Sequence, residues 1–163
     1  MDQFVKNIDL KKAIENKTHL KFNLETLPSI NWNDILTCLS DNVKSKSFIK
    51  VMPNFGTVVH DTSMNKTITD VSKSIQMINI DAQVTAHLYI SFTDSARTFG
   101  WHNDDVDVIF WQIQGTTLFS VKENNHFFDY RLQVNDLIYI PKTMEHNTKP
   151  ITPRAGISFG LAY

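Results

Sequence analysis

The sequence predicts a mainly β, α+β fold: helices gathered at the front, and an antiparallel sandwich or barrel behind them. Three observations carry this. Apolar positions before residue 50 roughly follow helical spacing; from Phe48 the period changes to that of strands; and beyond Gln83 short β-rich segments follow one another with no helix between them. Short strands at such spacing suit a sandwich or barrel.

Residues 1–50 read as mostly helical or irregular. Phe4, Ile8 and Ala13, with Leu10 and Ile14, form a first stripe, and Leu27-Pro28-Ser29 breaks the chain. A second helix begins at Trp32, with Asn31 or Asn33 as N-cap, Ile35, Leu36 and Leu39 as its buried stripe, and an end near Asp41-Asn42. Phe48–Met52 is strand-like and stops at Pro53; Asn54-Phe55-Gly56 is a turn, and Thr57–His60 is β-rich again. Thr67–Met77 suits a short helix with Ile68, Val71 and Ile75 on one face. The strands that follow are Val84–Phe92, Val106–Ile113, Thr116–Lys122, His126–Leu132, Leu137–Ile140 and Ala155–Ala162.

The length of 163 residues suits one domain over 1–163, with 1–50 as a helical cover and 84–163 as a β core. With 42% apolar and 20% charged residues, the chain is neither disordered nor collagenous. Sixteen Lys+Arg against seventeen Asp+Glu give no sign of nucleic-acid or polyanion binding. The single cysteine, Cys38, excludes an internal disulfide and a Cys-rich zinc site. It also favours a reducing compartment, so a cytoplasmic protein is expected. Apolar runs such as Val108–Trp111 are far too short to span a bilayer, and the N-terminus has no apolar signal core. Any metal chemistry must therefore use carboxylates and the six histidines.

Trp101-His102-Asn103-Asp104-Asp105 contains His-x-Asp, and His146 follows 44 residues after His102. On a strand, residues i and i+2 share a face, so His102 and Asp104 can reach one point. A second histidine from a neighbouring strand would complete two nitrogens and one carboxylate, the ligand set of non-heme Fe(II) oxygenases, which leaves coordination positions open. The motif alone is weak. The same residues also read as turn positions, with His146 on a loop.

The surroundings are more specific. His87-Leu88-Tyr89-Ile90-Ser91-Phe92, then Phe99-Gly100-Trp101-His102-Asn103-Asp104-Asp105, then Val108–Gly115 ending Gln-x-x-Gly, resemble the first metal-binding half of the Jumonji-C oxygenases, nearest to their ribosomal-oxygenase branch. Leu132–Pro141 followed by His146 resembles that family's "GDLLYIP…H" block, with Asn135 in place of its glycine. Gly156–Gly160 is similar to the closing strand. The resemblance covers about Val84 to Tyr163, with a weaker likeness from Asn54-Phe55-Gly56 onward.

This resemblance implies a double-stranded β-helix (cupin, or jelly-roll) core and an enzyme that uses Fe(II) and 2-oxoglutarate to hydroxylate a C–H bond, releasing succinate. It implies His102, Asp104 and His146 as iron ligands. The far carboxylate of 2-oxoglutarate needs a buried partner. In the resembled branch this is a Lys or Arg fifteen residues after the first His; here that position is Thr117, and the cation is missing. Ser91 matches a hydroxyl that helps hold the carboxylate. Other branches place an Arg on the final strand, where Arg154, Gly156 and Ser158 share one face. Arg154, helped by Thr117 and Ser91, is the expected anchor; otherwise it simply opens the strand in water. Lys149 and Lys122 are lesser candidates. Ser158 and Tyr89 belong to the same expected cosubstrate set, Tyr89 otherwise reading as a core tyrosine with its hydroxyl in water. Trp101 is expected to pack on the metal site or line the cleft, and Cys38, His60, His87 and His126 to be structural. Gln112 matches a family position with no evident physical role.

The substrate is open: protein, peptide or small molecule. The ribosomal branch carries dimerisation and winged-helix extensions beyond its β core; 163 residues are expected to hold the β core and its helical cover without a separate substrate domain. A homodimer through edge strands is compatible with the fold. Two alternatives remain. One is a cupin-type dioxygenase or isomerase without 2-oxoglutarate, favoured by Thr117; the other is a non-catalytic cupin-like binding module.

Overall fold

The computed structural model describes residues 3–63, 65–96 and 98–163; Met1 and Asp2, at the head of the expected helical stretch, lie outside them. In chain order the elements are α1 (Gln3–Lys6), α2 (Ile8–Asn16), β1 (Leu20–Phe22), α3 (Trp32–Lys44), β2 (Ile49–Met52), β3 (Gly56–Val59), α4 (Lys66–Gln76), β4 (Gln83–Ser91), β5 (Asp107–Gln114), β6 (Thr117–Glu123), β7 (His126–Leu132), β8 (Leu137–Ile140), β9 (Glu145–Pro150) and β10 (Arg154–Ala162). The strands form two antiparallel sheets, one ordered β1-β8-β5-β10-β4-β3-β2 and one β7-β6-β9. This is the expected mainly β jelly roll with helices from the first half of the chain.

Local chemistry sets the helix ends. The stripe expected from Phe4 to Ile14 divides at Asn7, whose side chain accepts from the Leu10 N–H at 2.8 Å and so caps α2. Asn31, not Asn33, caps α3: it accepts from the Asp34 N–H, and the Asp34 carboxylate accepts from the Asn31 N–H. Such a reciprocal cap contributes about 1 kcal/mol. The helix runs past Asn42 to Lys44, because the buried Asn42 amide donates back to the Cys38 carbonyl at 2.9 Å instead of ending the turn. Asn65 caps α4 by accepting from Ile68.

Two cores follow from strand alternation. Outside the large sheet, Leu10, Ile35, Ile68 and Ile75 of the helices pack on Leu88, Ile90, Ile109, Trp111, Ile157 and Phe159. Between the sheets, Val108, Phe110, Ile138 and Ile140 meet Phe119, Val121 and Leu132 of the small sheet. β5 is buried on both faces, which is why Val108–Trp111 is an unbroken apolar run. Asn135, standing where the resembled family has glycine, adopts φ +73°, a left-handed turn that Asn tolerates. The turn is tied by the Gln133 N–H donating to the Asp136 carboxylate at 2.8 Å.

Two strands were not expected. β1 has only three residues at the sheet edge, paired with β8. β9, Glu-His-Asn-Thr-Lys-Pro, has no apolar alternation, yet it pairs with β6 over six positions and so puts His146 on a strand rather than a loop.

Candidate metal centre

His102 and His146 come from segments far apart in sequence, joined by one rung of antiparallel ladder. The His102 N–H donates to the His146 carbonyl at 3.0 Å, and the His146 N–H to the His102 carbonyl at 2.8 Å. The ring centroids lie 4.3 Å apart. Asp104 extends the cluster: its Oδ2 is 3.6 Å from His146 Nε2 and its Oδ1 is 4.0 Å from His102 Nε2. One ligand atom from each of the three residues lies within 4.8 Å of the others.

The outer nitrogens are already committed. His102 Nδ1 meets the Gly100 carbonyl at 2.8 Å, and His146 Nδ1 meets that of Met144 at 3.1 Å. A carbonyl only accepts, so each Nδ1 carries a proton and donates, which in the neutral tautomer leaves Nε2 as the bare nitrogen facing inward. Gly100 supplies its carbonyl from φ +76°, a conformation suited to glycine. Burial holds His146 below the usual imidazole range, and His102 adds to this; the Met144 carbonyl and Asp104 act in the opposite sense. The neutral form is the metal-binding one. Phe119 stacks on the His146 ring at 5.5 Å and 18° and fixes its plane.

The triad lines a cleft that also holds Tyr89, Ser91, Arg154, Ser158 and Thr148. Arg154 stands opposite Ser91 across the β4/β10 ladder. It is 3% exposed, so it does not open the strand in water. Among the described residues its Nε and Nη1 have no hydrogen-bond partner, and its guanidinium carbon lies 5.9 Å from the centre of the Phe110 ring. Burial pulls its pKa down to about 10, against the effect of Tyr89, so it remains a cation at neutral pH. Burial pushes the Tyr89 hydroxyl up to about 12, with Asp104 adding and Arg154 opposing, so it stays protonated. Gly156, between Arg154 and Ser158, is a site of close approach: a Cβ there would lie 2.1 Å from Phe110 Cζ.

Four of the five expected cosubstrate residues therefore line one cleft with the triad. Thr117 does not. It is fully buried, and its hydroxyl donates to Gln112 Oε1 at 2.7 Å. Gln112 in turn donates to the Gln114 carbonyl at 2.6 Å, so this pair secures the β5–β6 turn. That gives Gln112 the structural role its sequence position did not reveal. Trp101 also departs from expectation: it turns to Phe127, with centroids 5.5 Å apart, and is absent from the cleft lining. Lys122 pairs with Glu145 at 2.5 Å, and Lys149 is exposed. Residues that sequence reasoning missed include Phe99, which lies 6.2 Å from the Tyr89 ring and 5.7 Å from that of His102. Val58 and Thr148 also line the cleft. For these two the only signal was strand parity relative to Tyr89 and His146.

The donor set suits a metal: two neutral imidazole nitrogens and a carboxylate converge from one side, with the cleft on the other. An unpaired buried guanidinium in the same cleft suits an anion.

No family model and no curated protein matches the chain. Solved structures do. YcfD, a ribosomal oxygenase from Escherichia coli, in complex with cobalt and 2-oxoglutarate superposes with a TM-score of 0.78 at 13% identity, over 96% of this chain and 52% of that one. Its complex with cobalt and succinic acid gives 0.75 at the same identity and coverage. Oxalate decarboxylase from Bacillus subtilis gives 0.52 at 16% identity, over 71% of this chain and 28% of that one. The chain thus has the cupin-type fold of these proteins and spans about half the length of the ribosomal oxygenase. Among the described residues, no helix is long and apolar enough to cross a membrane.

Proposed function

We propose that this chain is an Fe(II)- and 2-oxoglutarate-dependent oxygenase that hydroxylates a C–H bond of a protein, peptide or small-molecule substrate, as a single cytoplasmic domain. One observation carries it: a buried arginine with no hydrogen-bond partner for Nε and Nη1 among the described residues shares a cleft with a convergent His-Asp-His face. The fold shared with YcfD, crystallised with cobalt and 2-oxoglutarate, supports it.

In this assignment His102, Asp104 and His146 hold the metal, with Gly100 and Met144 fixing the tautomers through their carbonyls. Bound Fe(II) would supply oxygen activation coupled to oxidative decarboxylation of 2-oxoglutarate. Arg154 neutralises the far carboxylate of the cosubstrate, and the Ser91, Ser158 and Tyr89 hydroxyls flank it. Tyr89, kept protonated, can donate there. The buried Phe110 and Phe119 give the cleft apolar walls, against which each charge contact is stronger than in water. Thr117 takes no part.

The test is incubation with Fe(II), ascorbate and 2-oxoglutarate, measuring succinate with and without candidate substrates. Succinate formation that disappears in His146→Ala is expected. Absence of turnover together with absence of 2-oxoglutarate binding to the metal-loaded protein contradicts the proposal. It would favour a cupin enzyme whose own substrate meets Arg154 directly, the alternative that the residue at Thr117 supports.

A further inference from the structure

Beside the cosubstrate residues, the inner face of the large sheet carries a second polar group, and strand register lays it out in rows. Met52, Gly56, Ser91 and Arg154 form one row across β2, β3, β4 and β10. Lys50, Val58, Tyr89 and Gly156 form the next. In the third, Ser158 faces His87, the His60 ring meets the His87 ring at 4.7 Å, and the Phe48 ring meets His60 at 4.8 Å. This third row starts at the cleft with Ser158 and ends at the sheet edge with Phe48, which is 68% exposed.

The row has a single chemical character. His60 Nε2 is buried and, among the described residues, has no hydrogen-bond partner. Lys50 lies close by: its ammonium sits 4.5 Å over the Phe99 ring, and it weighs on the His60 equilibrium. Among the described residues no carboxylate pairs with Lys50. Asp104, whose charge reaches His87, is the acid of the proposed metal face. Two imidazoles and an ammonium can thus act as donors beside the mouth of the cleft, with Phe99 and Phe48 as apolar walls. Adjacent strands are about 4.8 Å apart, so the His60 position lies roughly 10 Å from Ser158.

The geometry points to this row as the subsite for the substrate itself, taking an oxyanion (a carboxylate or a phosphate) attached to a planar or apolar group, with Lys50, His60 and His87 as its donors. The inference rests on the metal-centre assignment, since it names what would be presented to that centre. Charge-assisted hydrogen bonds to an oxyanion are about twice as strong as neutral ones, and the flanking rings add specificity for a flat group.

The test uses the intact chain loaded with Zn(II) and saturated with 2-oxoglutarate, and follows the imidazole nitrogen resonances of His60 and His87 by NMR. Benzoate and phenyl phosphate are the probes, and neutral benzamide is the control. Saturable shifts of both histidines with either anion, but not with benzamide, are expected; the tighter anion identifies the substrate's charged group. Affinity should fall about tenfold or more in Lys50→Ala and in His60→Gln. Equal shifts with benzamide, no shift with any probe, or affinities indifferent to both Lys50→Ala and His60→Gln would overturn the inference. Binding of 2-oxoglutarate is read separately on its own methylene signals, so failure of the metal-centre assignment is visible apart from failure of this subsite.

Discussion

His102 and His146 exchange both backbone hydrogen bonds of a single antiparallel rung, at 3.0 and 2.8 Å. The ladder itself thus sets the spacing of the two imidazoles before any metal arrives. Asp104, two residues from His102, needs no further element to join them. Metal affinity should therefore depend on each of the three. Loss of an outer-shell partner alone typically costs roughly 10–100-fold in metal affinity, so His102→Ala, Asp104→Ala and His146→Ala should each cost more. Co(II) titration followed by visible absorption checks this; wild-type affinity in any of the three removes that residue from the centre.

Arg154→Met should separate binding from stability. An unsatisfied buried polar group costs about 1–3 kcal/mol, and Arg154 carries two such nitrogens. Its replacement by an apolar chain of similar length should leave the ligand-free protein as stable or more stable in urea unfolding, while 2-oxoglutarate binding is lost. A large destabilisation would instead mean that Arg154 has a structural partner.

Gly156→Ala should be destabilising through Phe110. The added methyl would meet the ring at 2.1 Å, and overpacking of this kind costs about 1–3 kcal/mol. Phe110→Leu on the same chain should recover part of the loss. If the double variant is no more stable than the single one, the clash lies elsewhere.

Asp107 is fully buried and accepts from Lys17 Nζ at 2.9 Å, Tyr139 Oη at 2.8 Å and the Lys142 N–H at 2.8 Å. Burial and this bond to Asp107 hold the Tyr139 hydroxyl well above its usual range. Asp107→Ala leaves those donors without their acceptor, and breaking a buried charged pair costs about 3–5 kcal/mol. The lower end is expected here, because Lys17 is half exposed. Denaturant midpoints measure it; a change within the error of the extrapolation would contradict the role.

Acid should weaken the metal-free fold. Burial lowers His19, His60 and His87 below the ordinary imidazole value of 6.5; Lys50 adds to this at His60 and His60 at His87, while Glu123 opposes it at His19 and Asp104 at His87. Below 6.5 the unfolded chain takes up protons that the folded one refuses, so this stability is present above that pH and is lost as pH falls through it. Melting temperature should drop between about pH 7 and pH 5, and His60→Gln with His87→Gln should flatten the slope. A slope unchanged in that variant would place the acid sensitivity in other groups.

The strand-borne part of this site was legible from alternation, whereas His102, on an isolated bridge, and Asp104, in a loop, were legible only through the motif and its resemblance. Alternation put Arg154 and Ser158 on one face, the resemblance pointed to Ser91, Tyr89 lay on the strand leading to the site, and the structure brings all four to one cleft. Thr117 was misplaced because a fixed offset from His102 says nothing about the neighbouring Gln112, whose amide captures its hydroxyl. Trp101 was misplaced because its neighbour Phe127 is 26 positions away, on β7. The His60–His87 contact depends on the register of β3 against β4, which no local pattern encodes. β9 was invisible because its polar sequence is held by pairing with β6, not by an apolar face.

Calorimetric titration of 2-oxoglutarate into the anaerobic Fe(II)-loaded protein, repeated on Arg154→Met and on His146→Ala, tests the proposed function most directly. Saturable binding that needs both the metal centre and Arg154 is predicted. Binding that survives loss of either one, or no binding to the loaded wild-type chain, would contradict it.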